Sequence, residues 1–183
     1  MKPDLFADVI LPLPLPRLFT YWVPPEMGEG LKKGIRVVVP FGKKKQYSGI
    51  IASLHHNNPE SYQTKPLLVV LERTPIVNPQ QLDFWQWLAD YYQCTLGEVY
   101  KAALPSGLKL ESETRVYYNP HYEQTSDLSD KAQKVLSFLE QKKNCSVSEI
   151  NDHLQQKSCL HILQPLIEDG AVFVSEQLKD SYR

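Results

Sequence analysis

Short apolar runs punctuated by turn residues fill the first seventy positions, and a helical period replaces them afterwards. Phe6–Ile10, Leu18–Val23, Gly34–Pro40, Tyr47–Leu54 and Leu67–Leu71 are rich in β-branched and aromatic residues and predict five strands. Leu11–Pro16 alternates leucine with proline, which fixes φ and lacks a ladder donor, so this stretch predicts an extended, unpaired crossing. Asn78 followed by Pro79 predicts a helix start, and Leu82, Trp85, Leu88, Ala89 and Tyr92 follow at helical spacing, as expected of core residues. A shorter helix is predicted from Gly97 to Ala103, ended by Pro105.

After a polar stretch with one short strand, Arg115–Tyr118, three helical segments follow. Ser129 precedes Ala132, Val135, Leu136 and Leu139; Ser146 and Glu149 form a capping box; Ser158 precedes Leu160, Leu163, Leu166 and Ile167. Asp169-Gly170 closes the third helix, Ala171–Val174 predicts a strand, and the chain from Glu176 is expected to return as its hairpin partner. Three helices and a hairpin predict a winged helix, a helix-turn-helix variant. The fold class is therefore α+β: a small barrel-like β domain with packed helices over 1–110, a linker over 111–126 and a winged helix over 127–183.

Charge separates the same two regions. Residues 1–110 hold 12 Lys/Arg against 9 Asp/Glu, and residues 111–183 hold 8 against 12. A polyanion would meet the first region. Cys94, Cys145 and Cys159 form no CxxC pair and predict reduced thiols in a cytoplasmic protein. The start of the chain does not read as a secretory signal, and no stretch approaches a membrane span. No phosphate loop, dinucleotide fingerprint or metal-ligand spacing occurs, so no catalytic residue, cofactor or metal site is assigned.

The positive signal lies between Arg17 and Lys45. Arg17, Lys32, Lys33, Arg36, Lys43, Lys44 and Lys45 outnumber Glu26 and Glu29, and Phe19, Tyr21, Trp22 and Phe41 are interleaved. Cations contact phosphates and ring faces stack on unpaired bases, a combination suited to a single strand or strand end. A solvated basic loop beside core aromatics fits the spacing equally well. In the winged helix, Lys157 and His161 are the cationic groups around the third helix, opposed by Glu168 and Asp169; Pro165 is expected to kink it, and Lys179 and Arg183 extend the wing.

Four motifs, Leu11–Tyr21, Gly34–Lys43, Leu88–Tyr92 and Gly97–Val99 with Ala103–Pro105, resemble in order and spacing the amino-terminal region of the primosomal replication-restart helicase family PriA. The resemblance implies capture of the 3′ end of the nascent leading strand at a stalled fork. It also implies a site of Phe19, Thr20, Tyr21, Gly42 and Lys65, in which Phe19 and Tyr21 stack on the terminal nucleotide and Lys65 meets phosphate. The backbone would come close to the DNA at Gly42. Arg17, Lys43, Lys44, Lys45, Lys157 and Lys179 are the expected backbone contacts. The family usually places Asp between the two aromatics, where this chain has Thr20, a donor as well as an acceptor. Implied partners are branched fork DNA with a 3′-ended strand and a duplex arm, and, through a full-length protein, primosome and single-strand-binding proteins. The family's helicase motor motifs are absent from this sequence, so unwinding is not assigned to these residues. The competing reading is a regulatory module whose winged helix docks on a partner protein.

Overall fold

The computed structural model describes residues 4–42, 45–60, 62–110, 114–122, 128–156 and 158–175, which fall into two compact units, Met1–Pro105 and Ser106–Arg183. In the first unit, β1 (Leu5–Ile10), β2 (Phe19–Val23), β3 (Arg36–Phe41), β4 (Lys45–His55) and β5 (Val69–Val70) form one antiparallel sheet in the order β2-β1-β4-β3-β5. The five expected strands are all present. A single parallel bridge, Trp22 to Pro66, approaches the far edge, but the ladder does not close into a barrel.

Alternation along the strands sorts the side chains into two apolar layers. Ala7, Val9, Tyr21, Val23, Val37, Val39, Tyr47 and Ile51 fill the concave face. Ile10 and Ile50 on the opposite face pack with Val77 and with Trp85, Ala89, Val99 and Tyr100 from α1 (Pro79–Tyr92) and α2 (Leu96–Ala103). Asn78 caps α1 and Thr95 caps α2, each in a reciprocal box with the residue three positions on, which satisfies two orphan amides per helix. Trp85 and Ala89 are buried as expected, whereas Tyr92 is 68 % exposed. It is the last residue of α1, and Cys94 and Leu96 just beyond it fill that end of the core instead.

The leucine–proline crossing joins no ladder, as expected, but its leucine amides bond locally. Leu13 donates to the Leu11 carbonyl at 2.7 Å and Leu15 to the Leu13 carbonyl at 2.8 Å, so the segment bends in successive three-residue turns. Gly34 ties three segments together: its amide donates to Ile51, and its carbonyl accepts from Ile76 and Val77. Arg36 is no surface cation. Its guanidinium is 2 % exposed and is gripped by Glu72, whose Oε1 accepts from Nε at 2.8 Å and also from Nη2, and whose Oε2 accepts from the Arg36 amide at 3.2 Å.

The second unit holds α3 (Asp130–Lys142), α4 (Val147–Leu154) and α5 (Leu160–Glu168) against a sheet ordered β7-β6-β8, from β6 (Arg115–Tyr118), β7 (Asn144–Ser146) and β8 (Val172–Ser175). The strand read as part of a connection, Arg115–Tyr118, is the middle strand of this sheet, and the partner it gives β8 comes from before the helices. The hairpin return expected from Glu176 lies outside the described residues. Ser146 and Glu149 form the expected box. The turn into α5 is held by the buried Asn151, whose Oδ1 accepts from the Cys159 amide at 2.6 Å. Pro165 sits on the exposed side of α5 between the buried Leu163 and Leu166, and the helix runs through it to Glu168. No helix among the described residues is long and apolar enough to cross a membrane.

Candidate nucleic-acid interface

The edge strand β2 carries three of the five expected end-binding residues, and alternation decides which of them can face a ligand. Phe19, at its first position, is half-buried. Its ring meets Phe41 edge-on at 5.3 Å and Tyr62 tilted at 6.3 Å, and the Arg17 guanidinium lies over it at 5.6 Å. Tyr21, two residues on, points into the concave core and is 3 % exposed. Desolvation and the neighbouring Tyr62 push its hydroxyl well above the usual phenol range. Tyr21 therefore cannot stack on a nucleotide as expected: it supports the strand from beneath.

The ring available at that place is Tyr62, from the loop before β5. Its hydroxyl accepts a 2.9 Å hydrogen bond from the Thr20 amide, an edge donor that β1 does not use. By pattern Tyr62 falls in the polar stretch between the predicted strands Tyr47–Leu54 and Leu67–Leu71. The one available signal was a lone aromatic three residues before Lys65.

Lys65 and Gly42 come together. Lys65 is exposed, its segment runs beside β2 through the bond from the Trp22 amide to the Lys65 carbonyl, and its Nζ donates to the Gly42 carbonyl at 2.6 Å. Gly42 has φ +65°, the left-handed region, and the space a side chain would take is open, so it serves the turn after Phe41 and leaves that side of the backbone clear. Phe19, Phe41, Tyr62, Gly42 and Lys65 thus surround the start of β2. Arg17 and Lys45 are exposed beside them, whereas Arg36 is buried away from them. Lys43, Lys44, Lys157 and Lys179 lie outside the described residues.

Thr20 does not offer its hydroxyl freely. It is 9 % exposed and donates to Asp8 Oδ1 at 2.7 Å. Asp8 Oδ2 accepts from the Ser53 hydroxyl at 2.6 Å, and His55 Nε2 lies 3.2 Å from Oδ1. His55 Nδ1 accepts from the Asn57 amide, which leaves the ring proton on Nε2, facing Asp8. Ser53 and His55 both address the carboxylate rather than each other, so the serine has no base and the trio is not a hydrolytic relay.

Burial acts to raise the Asp8 carboxyl, but the hydrogen bonds from Ser53, Thr20 and His55 outweigh it and hold the group below the ordinary aspartate value. The stability this confers is complete above the unfolded pKa of roughly 3.9 and is lost as pH falls through the lower folded value. Asp8→Asn should therefore flatten the acid limb of the stability curve below about pH 4. Parallel limbs for wild type and variant in acid titration followed by circular dichroism would contradict it.

In the winged helix the third helix is a weak cationic surface. Desolvation and the charge of Lys131 lower the pKa of His161, which disfavours its cationic form, while Glu168 is exposed on the same helix.

Comparison with known proteins places this geometry. Residues 8–105 match the model of the PriA 3′ DNA-binding domain, and residues 113–177 match a winged-helix domain. The replication restart protein PriA of Haemophilus influenzae is 38 % identical over 101 residues, 55 % of this chain and 14 % of that protein. The Bacillus subtilis protein of the same name is 25 % identical over 175 residues, 93 % of this chain and 20 % of its own length. The chain thus corresponds to about a fifth or less of these relatives. With a family model covering more than half of it and a β2 edge built as described, the chain belongs to the PriA 3′ DNA-binding domain family.

Proposed function

We propose that this chain captures the free 3′ end of a DNA strand at the start of β2, and that the strand held is the nascent leading strand at a stalled or abandoned replication fork. The observation that carries this is the meeting of Phe19, Gly42, and the pair Tyr62 and Lys65, from three separate stretches of sequence, around one exposed edge. Phe19 and Tyr62 supply ring surface for the terminal base, and Lys65 supplies the cation for the last phosphate. The Gly42 turn admits the sugar without a side chain in the way. Arg17 and Lys45, with Lys43 and Lys44, extend the charge along the strand.

The winged helix contributes backbone contacts to a duplex arm. In the relatives, a protein several times longer continues beyond these domains, so fork processing and assembly with primosome or single-strand-binding proteins would be supplied by such a chain. The setting is cytoplasmic. The partner-docking reading has no comparable constellation behind it.

Fluorescence anisotropy tests the proposal with fork DNA ending in a 3′-hydroxyl or in a 3′-phosphate. The hydroxyl end should bind more tightly, and equal affinity would remove the end site. Lys65→Ala should weaken binding and lower the slope of log K against log salt by roughly 0.7–0.9, one phosphate contact. An unchanged slope would mean that Lys65 does not touch DNA.

A further inference from the structure

The outer face of the sheet is covered by helices at Ile10 and Leu18, whereas Asp8, two residues before Ile10 on the same face, stays partly open. A β-bulge interrupts the β1–β4 register at this place, between Asp8 and Val9, and keeps Ser53 opposite Asp8. Asp8 keeps 27 % of its side chain exposed. Two hydroxyls and one imidazole fix the carboxylate, and they use three of about four acceptor positions. Thr20 joins this group to the end site: its amide holds Tyr62 and its hydroxyl holds Asp8. Because the Thr20 proton is committed, the partly exposed polar group that Thr20 links to Tyr62 is the carboxylate.

From this geometry we infer that Asp8 is the specificity-determining acceptor of the 3′-end site, taking a hydrogen bond from a neutral donor of the terminal nucleoside and repelling a terminal phosphate. The inference rests on the function proposed above. An acceptor-only anion discriminates in this way by chemistry alone: a hydroxyl or a base N–H can donate to it, whereas a phosphate brings like charge. Thr20, Ser53 and His55 are positioning residues. They hold the carboxylate ionised and oriented without touching the DNA.

The test uses the full chain and 5′-labelled oligonucleotides ending in 3′-hydroxyl, 3′-deoxy or 3′-phosphate. Wild type should favour hydroxyl over phosphate by about tenfold, the scale of one hydrogen bond to a charged group. Asp8→Asn should bring the two within about twofold of each other, chiefly by improving the phosphate end. A purely structural role for Asp8 would weaken both ends alike and leave their ratio intact, which would overturn the inference. That outcome leaves the end site standing if wild type still prefers the hydroxyl and still depends on Lys65. No preference in wild type removes the end site and this inference together. Loss of wild-type affinity with the 3′-deoxy end identifies the hydroxyl as the donor, and retention identifies the base edge. If Asp8→Asn does not fold, Asp8→Glu takes its place: it keeps the charge but displaces it, so hydroxyl affinity should fall while phosphate stays excluded. Unchanged hydroxyl affinity in that variant would also overturn the inference.

Discussion

Gly34→Ala is expected to destabilise the first unit by about 2–5 kcal/mol, the combined scale of a left-handed residue with a Cβ and an overpacked contact. Gly34 sits at φ +83°, where an L side chain is strained, and an added Cβ would lie 1.7 Å from the Val77 carbonyl oxygen and 3.2 Å from the Pro75 side chain. The obstacle is backbone, which cannot rotate aside. The segment carrying it is bonded to Gly34 through the Ile76 and Val77 amides, so retreat would break those bonds and shift the cap of α1 at Asn78. The measurement is urea unfolding followed separately for each unit. The transition of the first unit should move to lower denaturant while that of the second stays. A loss below about 1 kcal/mol would show that the segment before α1 yields freely, contrary to the packing described.

Glu72→Ala should cost a similar amount, about 3–5 kcal/mol, because it removes the carboxylate from a guanidinium that is almost wholly out of water. Glu72 grips both the side chain and the amide of Arg36, so its loss also frees a backbone donor at the start of β3. Desolvation makes the pair asymmetric: breaking it is expensive, whereas exchanging it whole for apolar residues is not. The Arg36→Met, Glu72→Leu double variant should thus recover most of the stability lost by Glu72→Ala. If the double variant is as unstable as the single one, the effect comes from backbone geometry and not from the broken ion pair. Neither change should alter the preference for a 3′-hydroxyl end, since both groups lie away from Phe19 and Lys65.

The two predictions concern residues that the sequence presents very differently. Gly34 opens the predicted strand Gly34–Pro40, and nothing in the pattern marks it as a crowded position. Arg36 reads as one more cation in a basic window, and only coordinates show its charge spent inside the protein. The opposite holds for Tyr62, which sits in a polar loop by pattern and in the end site by geometry. Tyr21 follows the same logic. Its place in a motif points to stacking, but alternation along β2 sends every second residue to the concave face, and Phe19 escapes burial only because it begins the strand.

Local chemistry determined what the elements are. β-branched runs, turn residues and capping boxes at Asn78, Thr95 and Ser146 act over a few residues, and each is written in the chain beside the structure it produces. Period alone likewise marked where strands give way to helix after Leu71, a change that falls inside the first unit. Tertiary structure decided which face of each element meets water and which distant groups meet each other. Asp8 and Ser53 are 45 residues apart, Thr20 and Tyr62 are 42 apart, and Gly42 and Lys65 are 23 apart. Strand register and loop closure bring such pairs together, and register is a property of the whole sheet rather than of either residue.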